Sequence, residues 1–358
     1  EKISDRIANR VAERVDHWLL YPGFRKKYRE HVIQRNRFFD VKGLSTQGIH
    51  ALELEHVFVD LKISLQQRLK KSLDIIPEID ENMKKGQSIW EYLNNEKLKD
   101  RHLALIGPPG SGKTTLVQHV ALTLAAGRKA HKEVNAPKKI PIILYLRDHA
   151  MAIADNKQLT LTQALRNHIK AWELNAPSKW FKRHLERGHC LVMLDGLDEV
   201  ADPSVRKKVI DWVQRQMESY PRCRFIVTSR PYGYYKNRLT GIVVLEVSPF
   251  SQGQVKRFVH NWYLANEIRS KQLDDTGIRL DAKKGADDLI NRLNNSDLAA
   301  FAVNPLLLTM IATVHRYKSS LPKRRVELYK EICEVFLGQR RAARDLELDL
   351  TPTQSQRV

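Results

Sequence analysis

Short apolar runs alternate with stretches of helical periodicity through the middle of the chain. An uninterrupted apolar run is typical of a strand buried on both faces of a sheet, whereas apolar residues spaced by three and four are typical of a helix. The alternation of the two patterns favours an α/β fold with a mainly parallel sheet and flanking helices. The predicted strands are residues 57–61, 103–106, 140–146, 191–195 and 224–228.

Helical periodicity continues on both sides of the predicted sheet. Apolar residues recur at helical spacing in residues 3–20, which predicts an N-terminal helical extension. From about residue 251 onward the pattern is helical, and segment 270–285, rich in Lys, Asp and Gly, is predicted to be an exposed connection. The other predicted helices are residues 28–37, 88–98, 115–126, 161–172, 178–187, 203–218, 252–264, 287–293, 305–316 and 325–344.

The composition is that of a globular chain. It has 358 residues, of which 42% are hydrophobic, enough for one domain with a buried core and smaller attachments. The longest apolar segment, 306–314, is far shorter than the roughly 18 residues of a membrane span, and the first residues form no apolar signal core. Cys190, Cys223 and Cys333 lack metal-ligand spacing. We therefore expect a cytoplasmic protein without membrane contact, disulfide or zinc.

Residues 107–114 read GPPGSGKT and fit the pattern G-x-x-x-x-G-K-[ST] between a predicted strand and a predicted helix. The three glycines let successive backbone N–H groups converge on phosphate oxygens, and the lysine meets the β- and γ-phosphates. The threonine hydroxyl can reach a Mg²⁺ ion, and the following helix points its positive end at the anion. The predicted nucleotide-binding residues are Gly107, Pro108, Pro109, Gly110, Ser111, Gly112, Lys113, Thr114 and Thr115.

Three acids, within or just after the apolar run 191–195, supply what this loop lacks. One carboxylate can bind Mg²⁺, directly or through water, and another can position the attacking water. We assign the metal to Asp195 together with Thr114, and the water to Glu199. Asp198 can share either carboxylate role, and the sequence does not separate the two. A solvated turn explains one acid well and three poorly, so a nucleoside triphosphatase is the leading interpretation.

The chain is strongly basic, with a formal net charge of +20 from 61 Lys and Arg against 41 Asp and Glu. A positive field of this size attracts polyanions, including nucleic acid, through phosphate neutralisation and counterion release. The basic residues are spread over several segments, however, and lack the interleaved aromatic residues that stack on bases. A solvated basic surface is favoured, and nucleic acid stays an alternative partner.

Several motifs together resemble one family of nucleotide-dependent switches. Residues 191–200 read LVMLDGLDEV, 225–231 read FIVTSRP, 304–308 read NPLLL, and 144–148 form a strand end with Arg-Asp. In this combination the chain resembles the NACHT branch of the STAND proteins (signal transduction ATPases with numerous domains). These are AAA+-like P-loop NTPases, and the chain most resembles bacterial members. Residues 41–61 are also similar to the segment before the phosphate loop in such proteins.

The resemblance implies roles for two further residues. Arg230 would be a sensor arginine that reads the γ-phosphate, a task that suits the fixed donors and permanent charge of a guanidinium. Pro305 would lie against the base, although a helix-start proline explains this residue nearly as well. The implied cofactors are ATP or ADP and Mg²⁺. Residues 156–159 read NKQL, so the guanine-reading N-K-x-D motif is missing there.

The resemblance also implies a domain organisation and a cycle. STAND proteins are similar to switches that open when a sensor region binds a trigger, exchange nucleotide and self-associate. The expected domains are an N-terminal helical region (1–50), a NACHT nucleotide-binding domain (51–250), a helical subdomain (251–345) and the start of a truncated winged-helix region (346–358). No repeat array that could act as a sensor is present, so the chain is expected to be an excised core.

Three functions remain open from the sequence. The first is a slowly hydrolysing regulatory ATPase switch, with a role in prokaryotic anti-phage signalling. The second is an AAA+-like ATPase that acts on nucleic acid or remodels a protein partner, to which the positive charge would contribute. The third is a binding scaffold in which the nucleotide is structural, an interpretation that Glu199 disfavours. Turnover with and without a polyanion separates the first two functions.

Overall fold

The computed structural model describes residues 21–39, 52–66, 86–177, 179–318, 321–322, 326–331 and 333. The chain divides into two compact units. The sheet unit draws its residues from Glu1–Asn36, Ile63–Pro108 and Leu116–Val247, and the helical unit from Arg37–Lys62, Pro109–Thr115 and Ser248–Val358. The predictions for residues 3–20, 41–51 and 344–358, and most of that for 325–344, lie outside the described residues.

The strands of the sheet unit form one mixed sheet. They are β1 (Ile63–Leu65), β2 (His102–Ile106), β3 (Ile140–Tyr145), β4 (Cys190–Asp195), β5 (Arg224–Ser229) and β6 (Ile242–Val247). Their order across the sheet is β1-β6-β2-β5-β4-β3. Neighbouring strands run parallel except for β1, which is antiparallel to β6. The predicted α/β class with a mainly parallel sheet is therefore confirmed.

The core of the sheet unit follows from continuous apolar runs. Every residue of β4 and β5 is buried, as expected for strands with a parallel neighbour on each side and helices on both faces. Trp212, on the helix after β4, is fully buried and donates its indole N–H to the carbonyl of Leu159 at 2.7 Å. This bond satisfies the one polar atom of a large core side chain.

Helices make up most of the remaining described residues. Local sequence fixes many of their ends: Asp202 caps one helix ahead of a proline, and Ser251 with Gln254 forms a capping box for another. The helices are α1 (Tyr21–Asn36), α2 (Leu54–Val57), α3 (Ile89–Asn94), α4 (Lys113–Ala126), α5 (Arg128–Glu133), α6 (Leu146–Asp155), α7 (Leu161–Lys170), α8 (Trp180–Glu186), α9 (Pro203–Ser219), α10 (Pro231–Lys236), α11 (Gln252–Lys271), α12 (Thr276–Asn294), α13 (Ala299–Ala302) and α14 (Pro305–Lys318).

The strand predicted at residues 57–61 is wrong. Val57 ends α2, residues 58–62 form neither helix nor strand, and the first strand begins at Ile63. Side chains nevertheless alternate between buried and less buried from residue 57 to residue 65. The pattern therefore identified an extended backbone, but only β1 has a partner strand to pair with, in β6.

Several elements of the sheet unit were not predicted, among them β6 and α6. Strand β6 lies between β1 and β2, and its apolar run IVVLEV was a usable signal. Helix α6 begins at Leu146, directly after β3, so the predicted strand 140–146 is one residue too long. Arg147 and Asp148 consequently lie in the first turn of a helix and not at the end of a strand.

The exposed connection predicted at residues 270–285 is also wrong over most of its length. Helix α11 extends to Lys271 and α12 begins at Thr276, where Asp275 caps it by accepting a bond from the N–H of Ile278 at 2.8 Å. Gly285 lies inside α12, where an added Cβ would meet the ring of Tyr263 at 2.8 Å. This glycine therefore permits close packing of α11 on α12, a role that composition does not distinguish from that of a loop glycine.

Within the described part of the chain, no helix combines the length and the apolar character needed to cross a membrane.

Candidate nucleotide-binding site

The candidate site begins at one edge of the sheet. Strand β5 lies between β2 and β4, and all three run parallel, so the segments that follow them leave from the same edge. The backbone N–H of Gly107, the first residue after β2, donates to the carbonyl of Ser229 at the end of β5 at 3.3 Å. Ligands of open α/β sheets bind outside the carboxyl ends of the strands, which makes this edge the expected place for a ligand.

Asp195 ends β4 as a buried, oriented carboxylate. Only 1% of the residue is exposed. The Thr228 hydroxyl donates to Asp195 Oδ1 at 2.6 Å and accepts the backbone N–H of Gly196 at 2.8 Å. Because a threonine hydroxyl has a single proton, accepting from Gly196 leaves that proton to point at Asp195. Thr228 therefore fixes the rotamer of the predicted metal ligand.

Asp198 is bound to Arg230. Its Oδ1 accepts the backbone N–H of Arg230 at 2.8 Å, and its Oδ2 lies 3.1 Å from Arg230 Nε. The Asp198 side chain is 12% exposed, whereas that of Arg230 is 55% exposed. Both carboxylate oxygens thus contact the residue that follows β5. The charged end of Arg230 is held at the same edge of the sheet as Asp195.

Glu199 has a different partner. Its Oε2 lies 3.1 Å from Arg147 Nη1, and Arg147 Nε also contacts Asp148 Oδ1 at 3.2 Å. The Glu199 side chain is 26% exposed, about twice the value for Asp198. The two acids after β4 are therefore paired with arginines on opposite sides, Asp198 with the residue after β5 and Glu199 with the first turn of the helix after β3.

The phosphate loop is divided between the two units, with Gly107 and Pro108 in the sheet unit and Pro109–Thr115 in the helical unit. Gly110 and Gly112 have φ values of +74° and +87°, in the left-handed region that disfavours residues with a Cβ. Gly107 is not among the glycines with positive φ, so two of the three glycines need that freedom. Lys113 Nζ lies 3.4 Å from Ser111 Oγ, within the loop.

Helix α4 begins at Lys113, so Thr114 and Thr115 lie in its first turn. This arrangement fits a hydroxyl and a helix N-terminus presented to an anion. Pro305 is the first residue of α14, and its Cγ would be 3.9 Å from a Cβ on Gly112. The helical unit thus brings Pro305 beside the phosphate loop.

The predicted residues include a donor set that suits Mg²⁺. A buried, oriented carboxylate at Asp195 and a hydroxyl at Thr114 are hard oxygen ligands, and Mg²⁺ in nucleotide sites takes one or two protein ligands with phosphate oxygens and water. The described residues contain no group of three or more His, Cys, Asp or Glu side chains that could hold a metal ion by themselves.

Two contributors to the site were not assigned roles from the sequence. Thr228 stands inside the FIVTSRP motif, and Arg147 inside the Arg-Asp motif after the third predicted strand. The neighbouring residues do not indicate the role of either side chain, because each contacts a side chain more than 30 positions away. Only the order of the strands brings them beside the acids.

Comparison with known proteins identifies the class. Residues 101–266 match the model of the NACHT domain. These residues therefore support a NACHT-type nucleotide-binding domain of the P-loop NTPase class. The match includes the whole phosphate loop, the three acids at the end of β4 and just after it, and Arg230.

Solved structures give weaker likenesses. The chain is similar to PCH-2 of C. elegans at 14% identity and a TM-score of 0.36, covering 67% of this chain and 61% of that one. It is similar to Cdc6p of Pyrobaculum aerophilum at 13% identity and a TM-score of 0.34, covering 78% of this chain and 65% of that one. The chain thus spans less than two thirds of either protein. A comparison with curated proteins gives no match.

Proposed function

We propose that this chain binds ATP with Mg²⁺, hydrolyses it slowly, and uses the bound nucleotide to control self-association, as a regulatory switch of the NACHT type. The observation that carries the proposal is the buried carboxylate of Asp195, oriented by Thr228 at the sheet edge from which the phosphate loop starts. A carboxylate is a hard oxygen ligand of the kind that Mg²⁺ takes in nucleotide sites, and a metal-chelated triphosphate would bring that cation to Asp195.

Each residue of the site has a role in this proposal. Lys113 supplies the main counter-charge for the β- and γ-phosphates, and Thr114 and Asp195 would hold Mg²⁺, which neutralises charge on the phosphates. Glu199 polarises the attacking water, and Arg230 meets the γ-phosphate.

The contacts of the two acids support different tasks for them. Asp198 uses both carboxylate oxygens on Arg230 and so positions that arginine. Glu199 is more exposed, and its Oε2 lies 3.1 Å from Arg147 Nη1. We therefore assign the water to Glu199 and a positioning role to Asp198, a choice that the sequence had left open.

The wider role is proposed from the NACHT domain together with the sequence motifs. An unidentified trigger would promote nucleotide exchange and self-association in the cytoplasm. The signalling output would belong to prokaryotic anti-phage defence. Residues 51–250 would form the nucleotide-binding domain and residues 251–345 the helical subdomain. Pro305, at the start of α14, would lie against the base.

Substitution Lys113→Ala tests the nucleotide site. Removing the main counter-charge should abolish measurable binding of ATP and ADP, followed by calorimetry in the presence of Mg²⁺. Lys132→Ala, on an exposed lysine of α5, is the matched control and should bind as the wild type does. Tight ATP binding retained by Lys113→Ala would overturn the proposal.

A further inference from the structure

The start of α14 is bonded directly to the backbone of the phosphate loop. Asn304 Nδ2 donates to the carbonyl of Pro109 at 2.9 Å, and the N–H of Leu306 donates to the carbonyl of Gly110 at 3.2 Å. Two consecutive loop carbonyls are thus held by one turn, residues 304–306, within the helical unit.

The amide of Asn304 is fixed from both ends. Its Oδ1 accepts the N–H groups of Leu306 at 3.1 Å and Leu307 at 3.2 Å, which caps α14. Pro305, at the first helical position, has no N–H to satisfy. Because the oxygen serves the helix, the NH₂ group is directed at Pro109. The same side chain therefore starts the helix and anchors the loop.

Anchoring these carbonyls also orients two donors. The chain has no cis peptide bonds among its described residues, and in a planar trans peptide the C=O and N–H groups point in opposite directions. The carbonyl of Pro109 shares its peptide with the N–H of Gly110, and the carbonyl of Gly110 shares its peptide with the N–H of Ser111. Both N–H groups therefore point away from residues 304–306.

The contact is too close for any other residue at position 110. A Cβ on Gly110 would lie 2.7 Å from Asn304 Oδ1 and 2.7 Å from Leu306 Cβ. Position 110 is one of the variable positions of the loop pattern, so the pattern itself does not require glycine there. The close approach of residues 304–306 is what requires a glycine at position 110.

We propose that Asn304 is a positioning residue for nucleotide binding: by holding the carbonyl of Pro109, it aims the N–H groups of Gly110 and Ser111 at the phosphates. This inference rests on the proposed function, since it concerns the same site. The N–H groups of Gly110 and Ser111 bind the phosphates equally well in the ground state and in the transition state. Losing their orientation therefore weakens nucleotide binding and leaves the rate of the chemical step unchanged.

The test compares variants that separate the two roles of the side chain. Asn304→Ser keeps a good helix cap but is too short to cap α14 and also reach Pro109. Asn304→Asp keeps the cap and replaces the donor by an oxygen that faces the carbonyl. The matched control is Asp275→Ala, which removes the cap of α12 in the same unit and touches no loop residue.

Asn304→Ser should raise the Kd of both ATP and ADP about five- to tenfold, the effect of one net hydrogen bond, and Asn304→Asp should raise it more. The KM for ATP should rise in parallel while kcat stays within about twofold of the wild type. Asp275→Ala should lower Tm and leave Kd unchanged. If Asn304→Ser does not fold, Asn304→Asp carries the same comparison.

The outcomes distinguish the two proposals. Wild-type affinity in both Asn304 variants, with the wild type itself binding ATP, would overturn the positioning role alone. An equal loss of affinity in Asp275→Ala would do the same, because the effect would then follow from stability. Absence of nucleotide binding by the wild type would overturn the proposed function together with this inference.

Discussion

At the scale of single residues, the three acids at the end of β4 and just after it differ by their neighbours. Asp195 is buried and bonded to a hydroxyl, Asp198 is paired with Arg230, and Glu199 is paired with Arg147. Identical carboxylate chemistry therefore acquires three environments within five positions. The environment, and not the residue type, decides which acid can hold a metal, which can hold an arginine and which can face water.

Glu199→Gln should bind ATP with wild-type affinity and hydrolyse it about 10²- to 10⁴-fold more slowly, because a glutamine cannot polarise the attacking water as a carboxylate does. Calorimetry and single-turnover hydrolysis measure the two effects separately. Asp198→Asn is the comparison, since asparagine still accepts the N–H of Arg230; its turnover should fall less than tenfold. A larger loss in Asp198→Asn than in Glu199→Gln would exchange the two assignments.

Thr228→Val should impair the site without altering its shape. The valine leaves the N–H of Gly196 without its acceptor in a buried place, a loss of about 1–3 kcal/mol in the free energy of unfolding, and frees the rotamer of Asp195. The Mg²⁺ concentration needed for half-maximal turnover should rise. Thr228→Ser keeps the hydroxyl and should behave as the wild type; equal Mg²⁺ dependence in all three proteins would contradict the role.

At the scale of elements, strand β5 is fixed at both ends. Its carboxyl end contributes Thr228 to the site, and its amino end carries the buried Arg224. The guanidinium of Arg224 donates to the carbonyls of Arg101, Leu93 and Tyr92 at 2.9–3.0 Å. Burial lowers the pKa of Arg224 to about 10, which leaves it charged at neutral pH. The strand that aligns the site is thus tied to the segment that precedes β2.

Arg224→Met should destabilise the protein by about 3 kcal/mol, because three carbonyls lose their donor while the apolar part of the side chain is kept. Denaturant unfolding monitored by circular dichroism measures the change. The control is Arg187→Met, on an exposed arginine, which should shift the free energy of unfolding by less than about 0.5 kcal/mol. A loss below about 1 kcal/mol in Arg224→Met would show that the three bonds contribute little net stability.

At the scale of the whole molecule, the net charge of +20 is compatible with the proposed switch and with an ATPase that acts on nucleic acid. The effect of DNA on turnover separates these two functions. The basic residues of a switch serve solubility and attract nucleotide, so added DNA has no route to the chemical step. Turnover of wild-type protein should therefore change less than twofold on addition of duplex or single-stranded DNA at about 0.1 M salt. Stimulation of tenfold or more that is lost at high salt would favour the alternative function.

The sequence by itself determined the features that depend on a few adjacent residues. The phosphate loop, the buried strands β4 and β5, and helix starts such as that of α9 follow from local chemistry, since backbone freedom, apolar runs and capping side chains act within one or two turns. The predicted loop residues, acids and Arg230 lie within residues 101–266, which match the model of the NACHT domain.

Only the tertiary structure decided which distant groups meet. Four contacts join positions that are far apart in the chain. They are the ion pair of Glu199 with Arg147, the hydrogen bond from Thr228 to Asp195, the hydrogen bond from Asn304 to Pro109, and the pairing of β1 with β6. Each depends on strand order or helix packing, which arises from the sum of many weak contacts across the core. No short stretch of sequence contains that information, because the partner that completes each contact lies elsewhere in the chain.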